Sequence, residues 1–220
     1  MDVFKITGGK PLSGEITISG AKNAASKMLI ASLLTEESVV LNNVPRQHET
    51  QITQDLLETV GAKLEWQTQN SVIITTPHIH STNVTSLSRK NRLSILAIAP
   101  LLHRSHEAFV PRVGGDAIGP RPVNFHIEIL SKMGAQITET ENGYQAIAKN
   151  RLKGTLIELA YPSVGATETA ILAGVLAEGR TTIRNAAGEP EVKQLIMLLQ
   201  NMGAIIQINS GRWIEIYGVE

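Results

Sequence analysis

The chain has 220 residues, and its 42% hydrophobic content is enough to bury a substantial core, while 20 basic and 20 acidic residues cancel. That balance argues against a nucleic-acid or membrane-surface partner. The absence of cysteine excludes disulfides, thiolate nucleophiles and thiolate-bound metals.

The start, Met1-Asp2-Val3-Phe4-Lys5, lacks the basic-then-apolar pattern of a secretory signal, so a cytoplasmic protein is expected. Residues 3–8 read as a strand outside the rest of the pattern, with Gly8-Gly9 as a break. A first unit, about 12–79, has a strand at 16–18, a helix over 22–34 and a strand at 39–41. A helix over 51–60 and a hairpin of 63–66 with 72–75 complete it. The second unit, about 84–150, has a helix over 91–102, a loop rich in glycine and proline over 111–122, and a helix over 123–133. Its longest apolar stretch, 95–102, falls far short of the roughly 18 residues a membrane span needs. The third unit, about 152–219, has helices near 165–177 and 191–202 and ends on a strand at 213–217. Trp66 and Trp213 read as packing residues on corresponding strands of the first and third units.

The three units share landmarks. A small-residue/leucine step recurs at Ala31-Ser32-Leu33-Leu34, Ala99-Pro100-Leu101-Leu102 and Ala173-Gly174-Val175-Leu176. Each unit's second helix closes on a Gly-Ala turn, at Gly61-Ala62, Gly134-Ala135 and Gly203-Ala204, which are 73 and 69 residues apart. Solenoid repeats run roughly 20 to 50 residues, so this period is too long for one. It fits three βαβ-type units about a pseudo-threefold axis, an α/β fold.

The first helix of each unit opens on an unusual entrance: Ser19-Gly20-Ala21-Lys22-Asn23, Arg89-Lys90-Asn91-Arg92 and Pro162-Ser163-Val164-Gly165-Ala166-Thr167. Unpaired amides and the helix dipole make such an end an anion site. Threefold symmetry predicts that Lys22, Arg92 and the Ser163 turn surround one phosphate-bearing ligand. From Arg89 to Arg121 six basic residues face two acids, which also suggests an anionic small molecule. Around Asp116 and Arg121, the loop Gly114-Gly115-Asp116-Ala117-Ile118-Gly119-Pro120-Arg121-Pro122-Val123 is long enough to expect a functional role.

These segments, with Asn185-Ala186-Ala187 and Glu189-Pro190-Glu191, stand in the order found in the enolpyruvyl transferases, and the chain resembles that family over essentially its whole length. The likeness is to the branch that works on UDP-N-acetylglucosamine in peptidoglycan synthesis, with phosphoenolpyruvate as second substrate. It implies an inside-out α/β barrel domain of three βαβαββ repeats with pseudo-threefold symmetry. It also implies residue roles. Lys22 and Asn23 contact phosphoenolpyruvate and the sugar, Arg92 binds substrate phosphates, and Ser163, Val164 and Gly165 hold the diphosphate. Arg121, Pro122, Val123 and Asn124 line a uridine pocket, and Asp116 donates a proton. No metal or other cofactor is implied.

The sequence departs from the family in three places. Asp116 stands where most relatives carry cysteine; a carboxyl of raised pKa can donate a proton but lacks thiolate nucleophilicity. Asn124 replaces an aspartate, weakening one expected uridine contact. Members of the family are about twice as long, with two such domains closing on a cleft. Residues 1–11 are therefore expected to serve the sheet of a second domain, with 12–220 forming one domain. The 220-residue chain alone is expected to be inactive, with a complementary domain or self-association as partner. Two alternatives remain open: a non-catalytic or split half protein, and a 5-enolpyruvylshikimate-3-phosphate synthase-like enzyme. His126 reads as a hydrogen-bonded structural residue, and Glu189 and Glu191 as charges suited to a helix start.

Overall fold

Leucine, isoleucine, alanine and other small residues dominate the first helix of each unit, and a helix apolar on most of its faces must be largely buried. In the computed structural model, which describes residues 3–87, 92–113 and 123–220, these helices form the centre of the molecule. Helix α1 (Lys22–Ala31) runs on into a 3₁₀ turn, Ser32–Leu34. The second central helix begins as a 3₁₀ segment, Leu93–Ala97, and continues as α3 (Ile98–Ser105). The third is α5 (Val164–Gly174), where every residue from Ala166 to Gly174 is buried. Pro100 cannot donate to the Leu96 carbonyl, which accounts for a 3₁₀ entry into α3 where a regular helix over 91–102 was expected.

The second helix of each unit is amphipathic and lies outside: α2 (His48–Val60), α4 (Asn124–Lys132) and α6 (Pro190–Asn201). All three end alike. Gly61, Gly134 and Gly203 have φ of 109°, 104° and 102°, a conformation only glycine enters readily. The Ala62, Ala135 and Ala204 amides reach back to the carbonyls of Leu57, Leu130 and Leu199. The glycine amides bond Glu58, Ser131 and Gln200, so each end is a full Schellman motif. The Gly-Ala landmark is thus one physical device used three times.

Three sheets cover this helical centre. The first orders β1 (Val39–Leu41), β3 (Val72–Thr75) and β2 (Lys63–Trp66). The second orders β4 (Glu107–Pro111), β6 (Gly143–Ile147) and β5 (Gln136–Thr140), with Pro111 ending a strand rather than opening a loop. The third has four strands, β7 (Leu156–Glu158), β8 (Arg180–Arg184), β10 (Trp213–Tyr217) and β9 (Ile205–Asn209). Alternating residues face inward, as with Val72 and Ile74 on β3 and Ile214 and Ile216 on β10. Among the described residues only the third unit shows the complete βαβαββ order, with β7 parallel to β8. In the second unit the leading strand shrinks to one parallel bridge, Asn83 to Phe109.

Several expectations are corrected. No strand forms at 3–8 or 16–18; Phe4, Ile6, Leu12 and Ile16 are all at least 85% exposed. Their alternation is strand-like, but an isolated strand has no partner for its amides and carbonyls. Among the described residues no strand pairs with the outer edge of β1, where β7 pairs in the third unit. The described sheets remain three separate ones, so barrel closure is not seen. Trp66 ends β2 and Trp213 begins β10, so they lie on opposite arms of their hairpins, each beneath an arginine. The Arg46 guanidinium is 3.5 Å from the Trp66 ring centre and Arg184 is 5.0 Å from that of Trp213.

Candidate functional site

The entrance to α5 is built by short-range chemistry. Ser163 takes extended backbone angles and its Oγ accepts from the Ala166 amide at 3.4 Å, a helix cap. The Thr167 hydroxyl donates to the Ser163 carbonyl at 2.8 Å and accepts from the Ala187 amide at 3.0 Å. One hydroxyl thereby fastens the Asn185-Ala186-Ala187 segment to the start of α5. Leading Arg92 and Leu93 into the second central helix places them against the same entrance. Between them opens a cleft of about 350 Å³, lined by Arg92, Leu93, Ser163, Val164 and Gly165. Its remaining walls are Ile95 and Leu96, Lys27 from α1, Phe125 and His126 from α4, Tyr161, and Glu168 from the second turn of α5.

The walls are tightly specified. Phe125 and Tyr161 meet edge to face, with ring centres 5.1 Å apart at 89°. The His126 ring lies directly over Gly165, where an added Cβ would sit 3.0 Å from its Cε1. His126 Nδ1 lies 2.6 Å from the Thr169 hydroxyl, and burial, with the Arg92 charge, lowers its pKa to about 4. The imidazole is therefore neutral near pH 7 and serves as a wall. Glu168 is the opposite case. Burial pushes its carboxyl up to about 7, opposed by Lys27 and reinforced by Glu191 and Glu189. The cleft thus gathers two cationic side chains, the first-turn amides of a helix and one half-ionised acid, which suits a multiply charged anion.

The predicted site residues fall into three groups. Arg92, Ser163, Val164 and Gly165 share the cleft. Lys22 and Asn23 do not line it: Lys22 Nζ pairs with Glu49 Oε2 at 3.0 Å, and Asn23 Nδ2 donates to Glu191 Oε1 at 3.2 Å. The start of α1 is held by acids in the first turns of α2 and α6, so two helix entrances converge on the cleft, not three. Instead α1 contributes Lys27, one turn further along. Val123 is buried at the entrance to α4 and Asn124, its first residue, is exposed, beside the lining residue Phe125. Asp116, Arg121 and Pro122 lie outside the described residues, as do Arg89, Lys90 and Asn91.

The basic excess of 89–121 also needs correcting. Arg104 is a clamp between units, donating to the carbonyls of Leu33, Thr35, Thr76 and Pro77 at 2.9–3.2 Å. Arg112 pairs with Glu139 at 3.1 Å. Of the described arginines in that stretch, Arg92 alone lines the cleft. Sequence reasoning missed Lys27 and Glu168, although a charge inside each otherwise buried helical run is a visible signal. A second groove of about 400 Å³ lies between α1, β1 and α6, walled by Met28, Val40, Gln194 and Met197 among others. It is larger, but no described charged side chain lines it, so the chemistry points to the first cleft. Among the described residues no helix is long and apolar enough to cross a membrane.

The family profile of EPSP synthase (3-phosphoshikimate 1-carboxyvinyltransferase) matches residues 6–220. The chain is 45% identical over 221 residues to the UDP-N-acetylglucosamine 1-carboxyvinyltransferase of Chlamydia pneumoniae, covering 99% of this chain and 48% of that protein. It is 48% identical over 221 residues to the protein of the same name from Idiomarina loihiensis, covering 100% of this chain and 52% of that one. The chain spans about half the length of the curated relatives it matches. Among solved structures, the enolpyruvyl transferase NikO from Streptomyces tendae superposes with a TM-score of 0.82 at 21% identity, covering 96% of this chain and 50% of NikO. The EPSP synthase of Acinetobacter baumannii gives 0.72 at 22% identity, covering 94% and 47%. These two likenesses concern the fold.

Proposed function

Because the chain belongs to the EPSP synthase (3-phosphoshikimate 1-carboxyvinyltransferase) family of enolpyruvyl transferases, we propose that its cleft is one wall of an enolpyruvyl-transfer site. The substrates are UDP-N-acetylglucosamine and phosphoenolpyruvate, in cytoplasmic peptidoglycan synthesis. The sugar 3-hydroxyl gives its proton to a base as its oxygen adds to C2 of phosphoenolpyruvate, while C3 gains a proton from an acid. Loss of a C3 proton then expels inorganic phosphate and leaves the enolpyruvyl ether. Such chemistry needs fixed positive groups on phosphate and carboxylate and an acid at C3.

In this reading Arg92 and the Ser163-Val164-Gly165 turn hold the diphosphate. Lys22 leaves Glu49 to meet phosphoenolpyruvate beside Asn23, Asp116 supplies the proton, and Arg121, Pro122, Val123 and Asn124 frame the uridine. Residues 12–220 form one domain of three repeats, while the 1–11 segment, exposed from residue 3 onward, pairs with the sheet of a second domain that completes the site. The 220-residue chain therefore binds weakly and does not turn over alone.

One observation carries the reading: Arg92 and the first turn of α5 converge on a single charged cleft in a chain whose close relatives bear the UDP-N-acetylglucosamine name. Calorimetric titration tests it. UDP-N-acetylglucosamine should bind, Arg92→Met should weaken it at least about tenfold, and shikimate 3-phosphate should bind less well. Preference for shikimate 3-phosphate would move the chain to the other branch, and phosphate release by the chain alone would overturn the half-site account.

A further inference from the structure

Two charged cleft residues have no part in the roles above. Lys27 reaches in from the second turn of α1 with its side chain 12% exposed, and Glu168 stands in the wall at 1%. Their closest atoms are 4.0 Å apart, beyond hydrogen-bond reach. Among the described residues Glu168 Oε1 has no hydrogen-bond partner. A buried ion pair repays its desolvation only with close geometry and further hydrogen bonds. This one has neither, so it is a poor structural staple. What the spacing leaves is an ammonium on the wall of an anion-suited cleft, its donors not consumed by the acid behind it.

We propose that Lys27 is the cation that seats a phosphate group of the bound ligand, with Glu168 as its positioning residue. This rests on reading the cleft as the nucleotide-sugar site. Lys27 and Arg92 then approach the diphosphate together with the first-turn amides of α5, so charge and amide donors act on one group.

Proton linkage separates this role from a structural one. The groups around Glu168 are Lys27 from α1, Glu189 and Glu191 at the start of α6, Arg92, His126 from α4 and the Tyr161 hydroxyl. Burial raises the Glu168 pKa to about 7 despite Lys27, while His126, lowered to about 4, stays neutral across pH 6 to 8.5. An anion seated on Lys27 disfavours the ionised acid. The cleft therefore takes up a proton on binding near neutrality, and affinity falls as the medium turns alkaline.

The test is calorimetric titration of the 220-residue chain with UDP-N-acetylglucosamine at pH 6.0 and 8.5, a range in which the diphosphate diester does not titrate. Wild-type affinity should fall about three- to tenfold between them. In Glu168→Gln that fall should vanish. Lys27→Met should bind at least about tenfold more weakly at both pH values, and Lys27→Arg should return to within about threefold of wild type. The double variant Lys27→Met/Glu168→Gln leaves no lone buried ion; it should melt no lower than wild type and still fail to bind. Lys27→Met binding like wild type, or Glu168→Gln keeping the wild-type pH slope, overturns the proposal. Inorganic pyrophosphate at pH 7.5 is the second probe. If it binds in a Lys27-dependent way while the nucleotide sugar does not, the nucleotide-sugar reading fails and the Lys27 seat stands. If neither binds, both fail.

Discussion

Replacing Glu168 with glutamine should make the protein more stable, and increasingly so as the pH rises. Below the ordinary carboxyl value of 4.5 both folded and unfolded chains hold the proton, and the acid contributes nothing to pH dependence. Between 4.5 and about 7 the unfolded chain releases the proton while the folded chain keeps it. Unfolding is therefore favoured progressively, and above about 7 the whole penalty is present. The rise from 4.5 to about 7 corresponds to about 3 kcal/mol. Near pH 5.5 about 1 kcal/mol of that is already present, so the advantage of Glu168→Gln should grow by about 2 kcal/mol between pH 5.5 and 8.5. His103 and His126, both lowered to about 4 mainly by burial, act in the opposite sense. Their stabilisation is complete above 6.5 and is lost as the pH falls toward 4. They are present in both proteins, so their effect cancels in the comparison. Urea unfolding followed by the fluorescence of Trp66 and Trp213 supplies the numbers. A difference between variant and wild type that stays constant within about 0.5 kcal/mol across that range would refute the account of Glu168 as a strained buried acid.

Three further outcomes follow from other parts of the chain. Gly134→Ala and Gly203→Ala meet no atom within 4 Å and should each cost about 1–2 kcal/mol of left-handed strain, whereas Gly61→Ala also meets His80 at 2.9 Å and should cost more by denaturant unfolding. Equal losses at all three positions would contradict that ranking. Amides of residues 3–18 should exchange with solvent at the unprotected rate in this chain, and slow exchange at Ile16 or Ile18 would show that a strand forms there after all. The carboxyl of Asp116 lacks thiolate nucleophilicity, so the chain should be insensitive to the epoxide fosfomycin; a mass increase on a peptide carrying Asp116 would contradict it.

Features set by local chemistry were legible in the sequence. The Gly-Ala turns located the ends of α2, α4 and α6 because a Schellman motif demands glycine at that position. The hairpin of Lys63–Trp66 with Val72–Thr75 followed from alternation alone. Features that depend on a distant partner were not legible. The alternation of Ile16-Thr17-Ile18 is as strand-like as that of β3, yet whether it pairs depends on an edge elsewhere in space. Arg104 looked like part of an anion-binding stretch, and only the meeting of four carbonyls from the first unit reveals it as a clamp. At the site, Arg92 and the Ser163 turn could be named from helix-entrance chemistry. The capture of Lys22 by Glu49 depends on how α1 and α2 pack, which no short motif encodes. Lys27 and Glu168 were within reach, since ionic residues inside runs otherwise largely buried, Ala24–Leu34 and Ala166–Gly174, always need a reason.

The measurement closest to the central claim is amide chemical-shift mapping of the labelled chain during titration with UDP-N-acetylglucosamine. The account predicts that shifts concentrate at Leu93, Val164, Gly165 and Ala166 and around Lys27, with the amides of α6 unmoved. Shifts gathered instead around Val40, Asn43 and Met197, in the uncharged groove between α1, β1 and α6, would contradict it.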